Sequence, residues 1–273
     1  MNINRALENF FSEYGIEYFA ALDWRDVRTS NPRILDRSGI SPRSVIVFLI
    51  PYYASDTVNI SRYAAARDYH IVIREITERL TSLTSELFPG SHSKGYGDHS
   101  PIDERHAALI ASLGVAGDNG LLINEKYGSY VFIADVITDI PPDSLGATTP
   151  SEIHRCIGCG ACRKACPTGI LRGDGDECLS AITQKKGELT DSQKALMREY
   201  NTAWGCDICQ SVCPYNASPK ITPVTFFREQ RIEKLTREAL ASMTDAEFSE
   251  RAFAWRGRAT VARNLEILED PSA

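Results

Sequence analysis

The chain has 273 residues, 43% of them hydrophobic and 24% charged, enough for one large domain and a smaller one around ordinary cores. Its 30 Lys and Arg against 36 Asp and Glu leave a formal net charge of -6, which excludes a strongly basic nucleic-acid footprint over the whole surface. The longest apolar stretch, residues 45–50 with Pro51 behind it, is too short to span a bilayer, and no secretory or twin-arginine segment precedes it, so a soluble cytoplasmic protein is expected.

From the N-terminus, residues 3–14 carry an amphipathic helical pattern that Gly15 stops, and strands are expected at 18–22 and 45–50. A long helix follows from about Ser61 onward. Tyr69, Val72, Ile73, Ile76, Leu80, Leu83 and Leu87 recur along it at three- and four-residue steps until Pro89-Gly90 ends the run. A glycine-rich loop (Gly95-Tyr96-Gly97-Asp98), a helix over 102–113, a strand-like stretch at 121–124 and a second strand over 130–138 continue the alternation that favours an α/β domain. Pro141-Pro142 breaks the chain, and 143–150 reads as a linker. Further on, Thr190-x-x-Gln193 and Thr244-x-x-Glu247 have capping-box form. The first predicts a helix to about Tyr200, and the second begins a tail of two or three short helices ending near Ile267. The expected organisation is an α/β domain over 1–145, a small cysteine domain over 146–222 and a short helical tail over 223–273.

All eight cysteines lie between Cys156 and Cys213. Cys156-x2-Cys159-x2-Cys162-x3-Cys166-Pro167 has the spacing by which bacterial ferredoxins hold a 4Fe-4S cluster with three thiolates and lend the fourth to a neighbouring cluster. Cys206-x2-Cys209-x3-Cys213-Pro214 repeats the last three positions, and Cys178 is left to supply the first. The crossing rule then gives one cluster on Cys156, Cys159, Cys162 and Cys213, and a second on Cys178, Cys206, Cys209 and Cys166. A zinc site would present two separated pairs, and a disulfide framework would suit a short secreted chain, so both are disfavoured. Two such clusters form a one-electron relay, which needs a terminus: a second redox cofactor in the N-terminal domain, or a docked partner.

Arg62-Tyr63-Ala64-Ala65-Ala66-Arg67-Asp68-Tyr69-His70, then Gly97-Asp98-His99-Ser100-Pro101-x-x-Glu104-Arg105, then the two cysteine runs resemble the epoxyqueuosine reductase family in order and spacing. The resemblance implies a cobalamin-binding α/β domain joined to a ferredoxin-like domain with two 4Fe-4S clusters, a plan shared with cobalamin-dependent reductive dehalogenases. It implies reduction of the epoxide of epoxyqueuosine to an alkene during tRNA queuosine modification, with electrons from a reduced flavodoxin or ferredoxin type donor. Asp98 matches the family's proton donor, a role for which burial beside the corrin would have to raise its pKa. Tyr63, Arg67, Tyr69, His70, Pro101, Glu104, Arg105, Asn119 and Ser129 match its cofactor-side positions.

The sequence departs from the family pattern in three places. Asp118, in Gly117-Asp118-Asn119, stands where the family usually has lysine, a charge reversal that would repel whatever the lysine attracts. Gln184-Lys185 replaces Glu-His. Arg258 to Asn264 resembles the junction into the helical repeats by which longer members grip tRNA, and those repeats lie outside this sequence. On that reading tRNA binding is expected to be weaker, confined to a tail bearing Arg251, Arg256, Arg258 and Arg263, or absent. The alternatives are a corrinoid reductase of a small molecule such as an organohalide, a ferredoxin-like electron carrier without cobalamin, and an activator of another corrinoid protein.

Overall fold

A computed structural model describes residues 3–269, which form two compact units, each drawn from several stretches of the chain. The first comprises 3–52, 70–158 and 223–225; the second comprises 53–69, 159–222 and 226–269.

The first unit is built on α1 (Ile3–Glu13), β1 (Phe19–Asp23), α2 (Pro32–Ser38), β2 (Ser44–Pro51), α3 (Tyr69–Leu87), β3 (Ser93–Gly97), α4 (Glu104–Ile110), β4 (Val115–Ala116), β5 (Leu122–Ile123), β6 (Val131–Thr138) and α5 (Pro142–Leu145). The alternation of helix and strand yields an antiparallel sheet of order β1-β2-β6-β3, and β4 and β5 form a separate ribbon. Every residue of β2 is buried, because this central strand is covered on both faces; its uninterrupted apolar run is the sequence signature of that position. On one face Leu22, Val45, Val47, Leu49 and Ile137 pack against Ala107, Ala108, Leu109 and Ile110 of α4. On the other, the Phe11 ring of α1 lies 4.5 Å from that of Phe19 and 5.0 Å from that of Phe48. Each large side chain so buried contributes about 1.5–3 kcal/mol.

Two differences from the sequence expectation shape the site. The long helix begins at Tyr69; residues 62–64 form only a single 3-10 turn, where the Arg62 N–H donates to Asp207 and the Tyr63 hydroxyl accepts from Trp204. The glycine-rich segment is strand β3, paired with β6 from Ser93↔Thr138 to Gly97↔Ala134. Its glycines are there for proximity: a Cβ on Gly95 would stand 2.1 Å from Thr77 Cβ, and one on Gly97 would stand 2.8 Å from Ile73 Cγ2, so α3 lies directly on the strand.

The second unit contains α6 (Ala161–Ala165), α7 (Leu179–Thr183), α8 (Asp191–Glu199), α9 (Ile208–Ser211), α10 (Arg237–Ser242), α11 (Asp245–Ser249) and α12 (Arg258–Glu269). Both expected capping boxes form, Thr190 with Gln193 at α8 and Thr244 with Glu247 at α11. Leu179, Ile182, Leu189, Met197 and Ile267 make one apolar cluster. Buried Asn264 of α12 donates to the carbonyls of Thr183 (2.6 Å) and Ala203 (2.8 Å), tying that cluster to the segment before Cys206. No described helix is long and apolar enough to cross a membrane.

Candidate active site and cluster-binding segment

In the first unit, three sequence-predicted residues meet where β3 ends and where α3 and α4 begin. Asp98 follows β3 with φ of +67°, the left-handed region that favours glycine. Its carboxylate Oδ2 lies 3.7 Å from His70 Nε2 in the first turn of α3. Its main-chain N–H donates to Glu104 Oε1 at 3.2 Å. Glu104 opens α4, which is capped by Asp103 accepting from the His106 N–H at 2.9 Å.

Burial by the protein itself falls on carboxyls behind Asp98. The Asp98 side chain is 58% exposed in the protein alone, because it projects from a turn beyond the sheet edge. Glu104 is partly buried, and burial first, then Asp135, then Asp98 push its pKa up to about 9. Asp135 is fully buried in mid-β6, opposite Val47 and Tyr96 on the face that α4 covers. Burial raises its pKa to about 7; neither oxygen makes a well-formed hydrogen bond, although the nearby Ser100 hydroxyl offsets part of the burial. Sequence reasoning passed over Asp135, and the available signal was a lone acid inside the strand pattern Val131-Phe-Ile-Ala-Asp-Val-Ile-Thr138.

The remaining expected residues of this unit hold the surrounding loops. The Pro101 carbonyl accepts from the N–H groups of Ser30 (2.9 Å) and Asn31 (3.0 Å). Arg105 Nη1 donates to the Gly120 carbonyl, fixing α4 to the turn between β4 and β5. In that turn Asn119 Oδ1 accepts from the Leu121 N–H at 3.2 Å, while its Nδ2 is buried without a protein acceptor. Asp118 faces Arg155 at 3.6 Å, so the acid that replaces the family lysine is answered within the same unit. Ser129 is buried beside Gly128, whose N–H and carbonyl exchange hydrogen bonds with Asn124.

The second unit holds Tyr63, Arg67 and Tyr69. The Tyr63 hydroxyl accepts from Trp204 Nε1 at 3.0 Å, and its ring meets that of Tyr69 edge-on at 6.1 Å. Arg67 stacks 4.7 Å over Phe226 and lies 3.7 Å from Glu250, with its Nε buried and unpaired. Neighbouring Arg62 reaches the cysteine segment: its N–H and Nη1 donate to Asp207 Oδ2 at 2.7 and 3.2 Å, and the Ser61 hydroxyl donates to the other oxygen of Asp207.

None of the eight cysteines is in a disulfide. Within the second unit α6 packs on α9, bringing the two cysteine runs together. Burial pushes Cys206 up to about 11, with Cys178 and Cys166 adding to it, and pushes Cys209 up to about 12, with Cys206, Cys178 and Cys162 adding to it. Cys166 goes the other way: burial would raise it, but the amides of Leu171, Thr168 and Gly169 outweigh that and lower it. Half-buried sulfurs that raise one another's pKa while backbone amides point at one of them fit a polynuclear cationic core, which would hold them as thiolates. Among the tail arginines, Arg251 donates to the Gln230 carbonyl, Arg258 to those of Leu240 and Met243, and Arg263 to that of Gly187, so these cations tether backbone.

Comparison with known proteins gives two family matches: the 4Fe-4S double cluster binding domain over residues 155–216, which takes in every cysteine, and Epoxyqueuosine reductase QueG, DUF1730, over residues 37–98. The chain is 32% identical to an epoxyqueuosine reductase of Gloeobacter violaceus, covering 80% of this chain and 72% of that protein. It is 35% identical to one of Cyclobacterium marinum, covering 65% of this chain and 60% of that protein. The chain thus spans about three-fifths of the length of the first curated relatives it matches. The structure of epoxyqueuosine reductase from Streptococcus thermophilus shares the fold with a TM-score of 0.79 at 24% identity, covering 98% of this chain and 81% of that one.

Proposed function

The chain belongs to the epoxyqueuosine reductase family, and from that premise we propose that it is an iron-sulfur and cobalamin-dependent oxidoreductase that converts the epoxide of epoxyqueuosine in tRNA to the alkene. The reaction consumes two electrons and two protons and releases the oxygen as water. A bound corrin would supply the two-electron reduction, refilled one electron at a time through 4Fe-4S clusters from a flavodoxin or ferredoxin type donor.

The chain's own residues supply the ligands, the proton and the positioning. Cys156, Cys159, Cys162 and Cys213 hold one cluster, and Cys178, Cys206, Cys209 and Cys166 the other, as the ferredoxin spacing requires. The influence of Cys178 on both Cys206 and Cys209, and of Cys166 on Cys206, is in keeping with the second set, while Cys162 of the first set also acts on Cys209. In the first unit, the unpaired donor Asn119 Nδ2 is a buried polar group of the kind a large polar cofactor satisfies, and it fits the presence of one. His70, Pro101, Arg105 and Ser129 of the first unit, and Tyr63 and Tyr69 of the second, are cofactor-side positions that the family resemblance assigns.

Asp98 gives its proton to the departing oxygen, and the observation that carries the reading is its placement: a carboxyl held in a disfavoured backbone conformation, exposed, beside His70. His70 is suited to return the proton from solvent. The test is Asp98→Asn in cluster-reconstituted, cobalamin-loaded protein, followed by liquid chromatography of nucleosides from tRNA bearing epoxyqueuosine. Turnover should fall by about a hundredfold or more while the clusters still accept electrons. Wild-type-like conversion by the variant would remove Asp98 from the chemistry. No conversion by the wild type would overturn the tRNA substrate and favour a small-molecule corrinoid reductase.

A further inference from the structure

Behind Asp98, in the same unit, lie two carboxyls that the proposed reaction does not use. Asp135 is fully buried in β6, and Glu104 stands between it and the 98 turn at the start of α4. The charged groups that act on Glu104 are Asp135, Asp98 and Asp103. With three acids in that set, an ionised Glu104 would add a repelling charge, and burial together with Asp135 and Asp98 keeps it neutral at pH 7.

A non-glycine residue at φ of +67° lies in the disfavoured left-handed region and persists only where its surroundings hold it there. One contact that holds the Asp98 backbone there is the hydrogen bond from its main-chain N–H to Glu104 Oε1. Glu104 can serve as a fixed post because both flanking residues are tied down: Asp103 caps the helix, and Arg105 is bonded to the Gly120 carbonyl.

We propose that Glu104 is a positioning residue for Asp98: by accepting the main-chain N–H of residue 98 it pins the strained turn and presents the Asp98 carboxyl beside His70. This rests on the reading of Asp98 as proton donor, and it moves Glu104 from a cofactor contact to a clamp acting from behind. The role needs an acceptor oxygen and no transferable proton, so an amide should serve in its place.

The test uses the full chain with clusters reconstituted. Amide hydrogen exchange by mass spectrometry is read on peptides spanning 96–101 in wild type, E104A, E104M and E104Q. E104A, or E104M should E104A not fold, loses the acceptor and should raise exchange there by about tenfold, with β2 and β6 unchanged. E104Q should restore protection to within about threefold of wild type. On tRNA bearing epoxyqueuosine, kcat should fall about tenfold in the loss variants with KM nearly constant, and recover in E104Q. Unchanged exchange over 96–101 in the loss variants, or E104Q exchanging as fast as they do, would overturn the clamp. If wild type fails to turn over this substrate, the functional reading falls while the exchange result still decides the clamp.

Discussion

Asp135 shows how one residue can oppose the core it sits in. Its folded pKa of about 7 and that of Glu104 at about 9 both stand above ordinary carboxyl values, so the folded chain binds protons that the unfolded chain has released. Their contribution is therefore fully present below about pH 4 and is lost as pH rises through 7 and then 9. Asp135→Asn should melt a few degrees above wild type at pH 8, at about 2–4 °C per kcal/mol for a protein this size, and the advantage should vanish near pH 4. Equal melting temperatures at both pH values would mean that Asp135 carries no such penalty. A second prediction concerns Cys178, the cysteine without a local motif: Cys178→Ala should halve the iron content to about four per chain and leave the spectrum of a single cluster. Retention of full iron would reassign the ligand. The eight thiols were legible because ligand spacing is a local property of sequence. The burial that falls on Glu104 and Asp135 was not, because burial depends on which helix covers which strand.

At the scale of elements, β3 is the instructive case. Ser93-Lys-Gly-Tyr-Gly97 has the composition of a loop, and it forms a strand because its glycines let α3 approach and its backbone completes the edge of β6. Gly95→Ala should consequently cost about 1–3 kcal/mol by forcing Thr77 aside, and should displace Asp98, which follows the same strand. Chemical denaturation gives the first quantity, and loss of conversion beyond the loss of folded protein gives the second; a variant as stable and active as wild type would contradict the close approach. By contrast α1, β2, β6 and the capping boxes of α8 and α11 could be read in advance, since periodicity and capping chemistry are written within a few residues. The onset of α3 at Tyr69 could not, because Arg62 to Ala66 is held by Asp207 and Trp204, residues some 140 positions away.

For the whole molecule, the acidic balance and the tethered arginines leave few cations for phosphate contacts, so under the proposed tRNA reading affinity for a stem loop should fall only shallowly with salt. The larger consequence concerns what the metal does for each unit. The first has its own core, with a fully buried central strand, and needs no cofactor to bury it. In the second, Cys162 and Cys209 lie in helices of five and four residues, too short to persist by themselves, its other cysteines lie outside helices, and its apolar cluster lies around α7, α8 and α12. Burial and the neighbouring cysteines push Cys206 and Cys209 up to about 11 and about 12, which opposes forming the thiolates a cluster requires, and a cationic core would offset that. Anaerobic removal of iron should therefore abolish exchange protection over 159–178 and 206–216 while β2 and β6 stay protected, and should split thermal unfolding into two transitions. Protection unchanged in those segments after verified iron loss would mean that packing alone holds them, and the clusters would then be passengers in a preformed frame.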